Sequence, residues 1–208
     1  MIIHKDLIQG TEEWFEVKKL KLTASKATAI SANGAGLKTL VNKLILNTFF
    51  DKETYTNANM ERGNELEPIA RSKYEFEYGV EVLEVGFIEH TEHSGYSPDG
   101  LVGDEGLIEI KARNNAIHLE LLRTKKIDTG TVWQMQMGML VSERKWCDFI
   151  SYNPNFSSKN SILVIRVERD ETAISKIEKG IIEGTKMIKE LLSDPIVKDE
   201  IEFKSLVQ

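Results

Sequence analysis

Apolar positions recur at helical spacing in some stretches of the chain and alternate in others. These two periods predict the order of its elements. Thr11 opens a helix to Leu20, with Glu12 and Glu13 in its first turn and Trp14, Val17 and Leu20 along its inner stripe. Thr23 starts a second helix reaching Ile30. A loop at Asn33–Gly36 leads to an apolar helix, Leu37–Phe50, carrying Leu40, Val41, Leu44, Ile45 and Phe49. Asp51–Asn59 is polar and reads as a loop. A long helix over Met60–Tyr78 contains Pro68, which implies a kink or a new start near Glu67, and Gly79 ends it. Val80–His90 reads as a strand. Asn114–Leu122 and Thr129–Val141 read as helices, and strands follow at Trp146–Tyr152 and Ile162–Glu168. The last helix begins near Asp170 and turns Ile174, Ile177, Ile181, Ile188 and Leu191 inward. This order predicts a mixed α/β (α+β) fold, a central mixed β-sheet flanked by helices, in a single domain over residues 1–208. Within Thr129–Val141, Gln134 and Gln136 are amides in an otherwise apolar helix, and a buried amide needs partners.

One stretch stands apart from this pattern. Ser97 to Lys111 holds two short apolar runs around the acidic, glycine-rich turn Gly103-Asp104-Glu105-Gly106, which predicts a β-hairpin. Glu109 and Lys111 lie two apart on its second strand and so share a face. Asp99 depends on the register. A two-residue turn pairs Leu101 with Ile108 and sends Asp99 to the opposite face. A bulged turn, with Gly106 left-handed, pairs Leu101 with Leu107 and Asp99 with Glu109, their Cβ atoms ~4.5–5.5 Å apart. The second register is expected, with a cation between the two carboxylates relieving their repulsion.

Composition narrows the setting. The 208 residues suffice for a substantial core, and no apolar run approaches the ~20 residues that span a bilayer. The beginning of the chain lacks a signal-peptide pattern. The single cysteine, Cys147, excludes an intramolecular disulfide and a cysteine-ligated iron–sulfur cluster, so a cytoplasmic setting is expected. The net charge of −6 argues against DNA held on a broad basic face, and basic contacts must be local.

A carboxylate pair beside a lysine suits metal-assisted phosphodiester hydrolysis. Asp99 and Glu109 would hold one or two Mg²⁺ ions, with Mn²⁺ as a substitute and the Ile110 carbonyl as a further ligand. Lys111 would orient the attacking water or offset transition-state charge. A serine or backbone N–H at the helix start near Thr23 suits a phosphate.

Pro98-Asp99, Glu109-Ile110-Lys111 resembles the PD-(D/E)XK nuclease signature, which implies a restriction-endonuclease-like core. Gly10–Trp14, Thr23–Ser25, Arg62–Glu67, Gln134–Gln136 and Trp146 with Tyr152–Pro154, in that order, resemble the phage lambda-type alkaline exonuclease, or YqaJ-type viral recombinase, family. The resemblance implies a Mg²⁺-dependent 5′-to-3′ exonuclease that acts at ends of linear double-stranded DNA and leaves 3′ single-stranded overhangs for recombination. It also implies a homotrimeric ring, a single-strand annealing partner, and phage or prophage encoding in a bacterial host. It carries Asp99 and Glu109 over as metal ligands and Lys111 as the catalytic lysine. Glu67 is carried over as a carboxylate near a second metal, and Gln136 as a glutamine entering the site from a helix. Ser25 and Ser97 match residues near the 5′-phosphate. Lys18 falls where the family has a basic phosphate contact, commonly Arg, whose fork Lys cannot reproduce. Ala112-Arg113 replaces the usual Cys-Pro, and Arg113 is a candidate DNA contact. Two rival readings are a PD-(D/E)XK endonuclease or repair nuclease, which would cut closed DNA, and a DNA-binding protein with an inactive site, which would cut nothing.

Overall fold

The computed structural model describes residues 1–50 and 58–207. The expected Asp51–Asn59 loop lies mostly outside these, and its last two residues begin a helix. In chain order the elements are β1 (Ile2–His4), α1 (Glu12–Lys18), β2 (Leu22–Thr23), a 3₁₀ turn (Ala24–Lys26), α2 (Ala27–Ala32), α3 (Ala35–Phe49) and α4 (Ala58–Tyr78). Then come β3 (Val82–Leu83), β4 (Phe87–Thr91), β5 (Ser94–Tyr96), β6 (Gly100–Val102), β7 (Gly106–Ala112), α5 (Asn115–Thr124) and α6 (Thr129–Ser142). The chain continues through β8 (Trp146–Tyr152), β9 (Ile162–Glu168), α7 (Glu171–Ser193) and α8 (Pro195–Val207).

A five-stranded sheet runs in the order β3-β6-β7-β8-β9, and a four-stranded sheet in the order β1-β4-β5-β2. In the larger sheet β7 and β8 are parallel and the other pairs antiparallel. A parallel pair needs a long crossover, and α5 and α6 provide it. The larger apolar cluster joins α2, α3, α6 and α7 to one face of this sheet. A smaller one packs Ala70 and Tyr74 of α4 against Ile108, Ile110 and Ile150 on the other. α6 is buried along most of its length, from Met135 to Ser142 without a break. Each buried methionine there contributes roughly 1.5–3 kcal/mol by leaving water.

Several expectations are corrected. Val80–His90 is not one strand but two, β3 and β4, in different sheets. The chain turns at Gly86, whose N–H donates to the His4 carbonyl. A Cβ at Gly86 would sit 1.8 Å from the Leu7 carbonyl oxygen, so the N-terminal segment crosses there. No new helix starts near Glu67: α4 runs unbroken through Pro68, with Ala70 and Tyr74 beyond it buried. The expected helix from Thr23 is a 3₁₀ turn followed by the short α2, which Asn33 closes in the left-handed region at φ 49°. The last expected helix is found as α7, from Glu171 to Ser193. A further helix, α8, is not among the expected elements, and Asp194 caps it, accepting from the Ile196 and Val197 N–H groups, with Pro195 in its first turn.

The hairpin has the Leu101–Leu107 pairing of the bulged register. The left-handed glycine, however, is Gly103, at φ 52°, not Gly106. Gly106 lies within β7, and a Cβ there would come 2.1 Å from the Trp146 ring.

Candidate active site

β7 is central to its sheet, and its alternation sets the chemistry. Leu107, Glu109 and Lys111 face α6, while Ile108 and Ile110 face α4. Glu109 is a carboxylate only 1% exposed. Its Oε1 accepts from Lys111 Nζ at 2.7 Å and from Gln134 Nε2 at 2.7 Å. Its Oε2 accepts from the Tyr96 hydroxyl at 3.3 Å. Lys111 also donates to Gln134 Oε1 at 3.4 Å. Burial opposes the Lys111 charge, but Glu109 and Asp99 outweigh it and raise its pKa above the usual lysine value.

Asp99 stands just before β6, beyond the last ladder pair, Gly100 with Ile108. Its side chain takes over from the ladder, Oδ2 accepting from the Ile110 N–H at 2.6 Å. Asp99 therefore meets β7 through its carboxylate and not as a paired strand residue. Burial, then the charges of Glu109 and Glu67, push its carboxyl well above the ordinary carboxylate range. Glu67 comes from α4 on the other side of the sheet edge. It accepts from Arg71 Nη2 at 2.6 Å, while Arg71 Nε donates to the Asp99 carbonyl at 3.1 Å. Burial raises the Glu67 pKa, Arg71 opposes this, and Glu109 adds to it.

The structure thus brings Asp99, Glu109, Lys111 and Glu67 together. Among the described residues, no group of three or more histidine, cysteine, aspartate or glutamate side chains is arranged to hold a metal ion. The donor chemistry nevertheless fits a hard divalent cation, which takes oxygen ligands and completes its shell with water. A cation would also relieve the mutual repulsion that raises Asp99 and Glu67.

Gln136 does not join this cluster. It is 3% exposed, donates to the Glu168 carbonyl at 2.8 Å and accepts from the Asp170 N–H at 2.9 Å, tying α6 to the start of α7. Residues two apart on a helix face different ways, so only one of the two amides can reach β7, and it is Gln134. Arg113, at the end of β7, is also engaged elsewhere. Its Nη2 donates to Asp128 Oδ2 at 2.7 Å and to Thr131 Oγ1 at 3.2 Å, at the α6 N-terminus.

A second group lies next to the first. Trp14 Nε1 donates to Ser97 Oγ and to the Gly86 carbonyl, both at 3.1 Å. Lys18 Nζ lies 3.3 Å from the centroid of the same indole ring. Burial and the charge of Lys26 lower the Lys18 pKa to about 8. Ser25, next to Lys26 on the 3₁₀ turn, has its hydroxyl 3.4 Å from that of Thr23. Ser97 is two residues from Asp99, so this cationic corner adjoins the carboxylates. The sequence places Trp14 on the inner stripe of α1 and within the family-like block Gly10–Trp14, without assigning it a contact at the site. Its contact with Ser97 spans 83 positions and leaves no local trace.

Residues 13–145 match the YqaJ-like viral recombinase domain. The fold is similar to the crystal structure of an alkaline exonuclease, LHK-Exo, from Laribacter hongkongensis. The two share 37% identity over 93% of this chain and 95% of that one, with a TM-score of 0.78. The same values hold for LHK-Exo in complex with dAMP. A phage-related exonuclease from Haemophilus somnus 129PT is 19% identical over 86% of this chain and 97% of that one, with a TM-score of 0.69, a likeness of fold. No curated protein matches the chain.

Proposed function

The chain belongs to the YqaJ-like viral recombinase domain family and is a deoxyribonuclease. From that premise we propose that it is a divalent-cation-dependent 5′-to-3′ exonuclease, a single nuclease domain acting on ends of linear duplex DNA and leaving 3′ single-stranded overhangs for phage-type recombination. The observation that carries this reading is the adjacency of two chemistries on one short segment. Ser97 belongs to the cationic corner, and Asp99, two residues on, belongs to the carboxylate–lysine cluster. A nuclease that cuts next to a site for a terminal phosphate acts from an end.

Asp99 and Glu109 would hold Mg²⁺ or Mn²⁺, with Glu67 and the Ile110 carbonyl as candidate further ligands. A cation bound there supplies Lewis acidity to water and offsets charge on the scissile phosphate. Lys111, kept charged by Glu109 and Asp99, orients the attacking water or neutralises transition-state charge. Gln134 braces the Lys111–Glu109 ion pair by hydrogen-bonding both members. Ser97 accepts its hydrogen bond from Trp14, which frees its own hydrogen for a phosphate oxygen. Lys18 supplies positive charge beside it, with Ser25 as a further candidate phosphate contact. We also propose a homotrimeric ring, a single-strand annealing partner, and phage or prophage encoding with action in the bacterial cytoplasm. No helix among the described residues is long and apolar enough to cross a membrane.

The test is digestion of linear duplex labelled at the 5′ end in one reaction and the 3′ end in another, with Mg²⁺ or with chelator. Early release of the 5′ label, retention of the 3′ label on long strands and no cleavage under chelator are expected. Internal cuts would replace the exonuclease by an endonuclease.

A further inference from the structure

We infer that Tyr96 is a positioning residue for the reaction: its hydroxyl holds the second carboxylate oxygen of Glu109 so that one lone-pair direction remains for a divalent cation. This rests on the cation reading of Asp99 and Glu109.

A carboxylate offers about four lone-pair sites on its two oxygens. On Glu109, Lys111 and Gln134 occupy Oε1, each at 2.7 Å, and Tyr96 approaches Oε2 at 3.3 Å. The three donors come from three elements, β7, α6 and β5, so the carboxylate cannot rotate without breaking at least one bond. The direction left open is fixed before any cation arrives. Tyr96 and Asp99 are three residues apart, so one short segment carries a ligand at one end and the brace of the other ligand at its start.

The Tyr96 ring is itself seated for this. It is 1% exposed and lies against Gly138 of α6. A Cβ at Gly138 would come 2.9 Å from the ring's Cε1 and Cζ and 3.2 Å from its hydroxyl oxygen. Gln134 and Gly138 are four apart on α6 and share a face. One helix ridge therefore delivers an amide to Oε1 and, through the gap at Gly138, lets a phenol reach Oε2.

The experiment titrates Mn²⁺ into the DNA-free protein, following the free ion by paramagnetic resonance. Wild type should bind Mn²⁺ and lose it in Asp99→Ala. Tyr96→Phe keeps the ring and removes one oxygen. It should weaken Mn²⁺ binding about tenfold and leave cation-free DNA affinity unchanged. Gly138→Ala should weaken Mn²⁺ binding in the native background and add little to Tyr96→Phe, because the displaced ring has already lost its hydroxyl. Wild-type Mn²⁺ affinity in Tyr96→Phe would overturn the inference and leave the carboxylate site standing. No Asp99-dependent Mn²⁺ binding in wild type would overturn the underlying reading. Should Tyr96→Phe fail to fold, Gly138→Ala decides by the same titration.

Discussion

Asp99 carries a cost in the free protein. Its pKa lies above the unfolded value because it is buried beside Glu109 and Glu67. The native state therefore binds the proton more tightly. Stability falls as pH rises from the unfolded value towards the folded one, so burying this carboxyl opposes folding once pH exceeds the ordinary carboxylate range. Asp99→Asn removes the charge and keeps an oxygen for the Ile110 N–H. The metal-free variant should melt roughly 2–5 °C higher at pH 8, cut no DNA, and gain no stability from Mg²⁺ while wild type does. A lower melting temperature in the metal-free variant would refute this account. Lys18 works in the opposite sense. Its pKa of about 8 lies below the unfolded value, so it loses charge as pH rises from 7 to 9.5. The ratio of Kd values for 5′-hydroxyl and 5′-phosphate ends, measured without divalent cation, should fall roughly tenfold over that range. Lys18→Arg should hold the ratio flat. An unchanged ratio in wild type would remove Lys18 from phosphate recognition.

At the scale of elements, α6 divides its two amides. Gln134 serves the cluster on β7, and Gln136 serves the junction between β9 and α7. Gln134→Ala should lower the cleavage rate strongly with little change in melting temperature. Gln136→Ala leaves the Glu168 carbonyl and the Asp170 N–H without their partner and unties α6 from the start of α7. It should cost about 1–3 kcal/mol of stability and leave residual activity per folded molecule close to wild type. Chemical unfolding and rate measurements on both variants check this, and the reverse pattern would exchange the two roles.

For the whole molecule, net charge and substrate must be reconciled. A chain of net charge −6 has no excess of positive charge to spread over DNA. Its cationic corner is local, at Lys18 and Lys26. A closed ring around the duplex would keep such a protein on DNA by topology, and light scattering should give the mass of three copies at working concentration. A monomer at every concentration would count against the ring. Covalently closed duplex, which has no end to admit, should survive intact under conditions that consume linear DNA. Nicking of the closed form would favour the endonuclease reading.

The sequence alone determined what depends on near neighbours. The bounds of β8 and β9 follow from their strand pattern, and the cap Thr11 and the helix starts at Asn114 and Asp170 are set by hydrogen bonds made within three residues. Asp99, Glu109 and Lys111 were legible as a group because a hairpin and a two-residue period bring them together with little help from the rest of the chain. Tertiary packing decided the remainder. Strands of two or three residues such as β1, β2 and β3 carry no period, and they exist only because a partner strand lies beside them. The crossing of Leu7 over Gly86 divided one apparent strand between two sheets. Which face of the nearly all-apolar α6 met β7 decided between Gln134 and Gln136. Trp14 reaches Ser97, and Tyr96 reaches Glu109, through contacts whose geometry depends on how whole elements dock. Local hydrogen bonds and side-chain periods are written in consecutive residues, whereas the docking of one face on another is settled by the packing of the entire core.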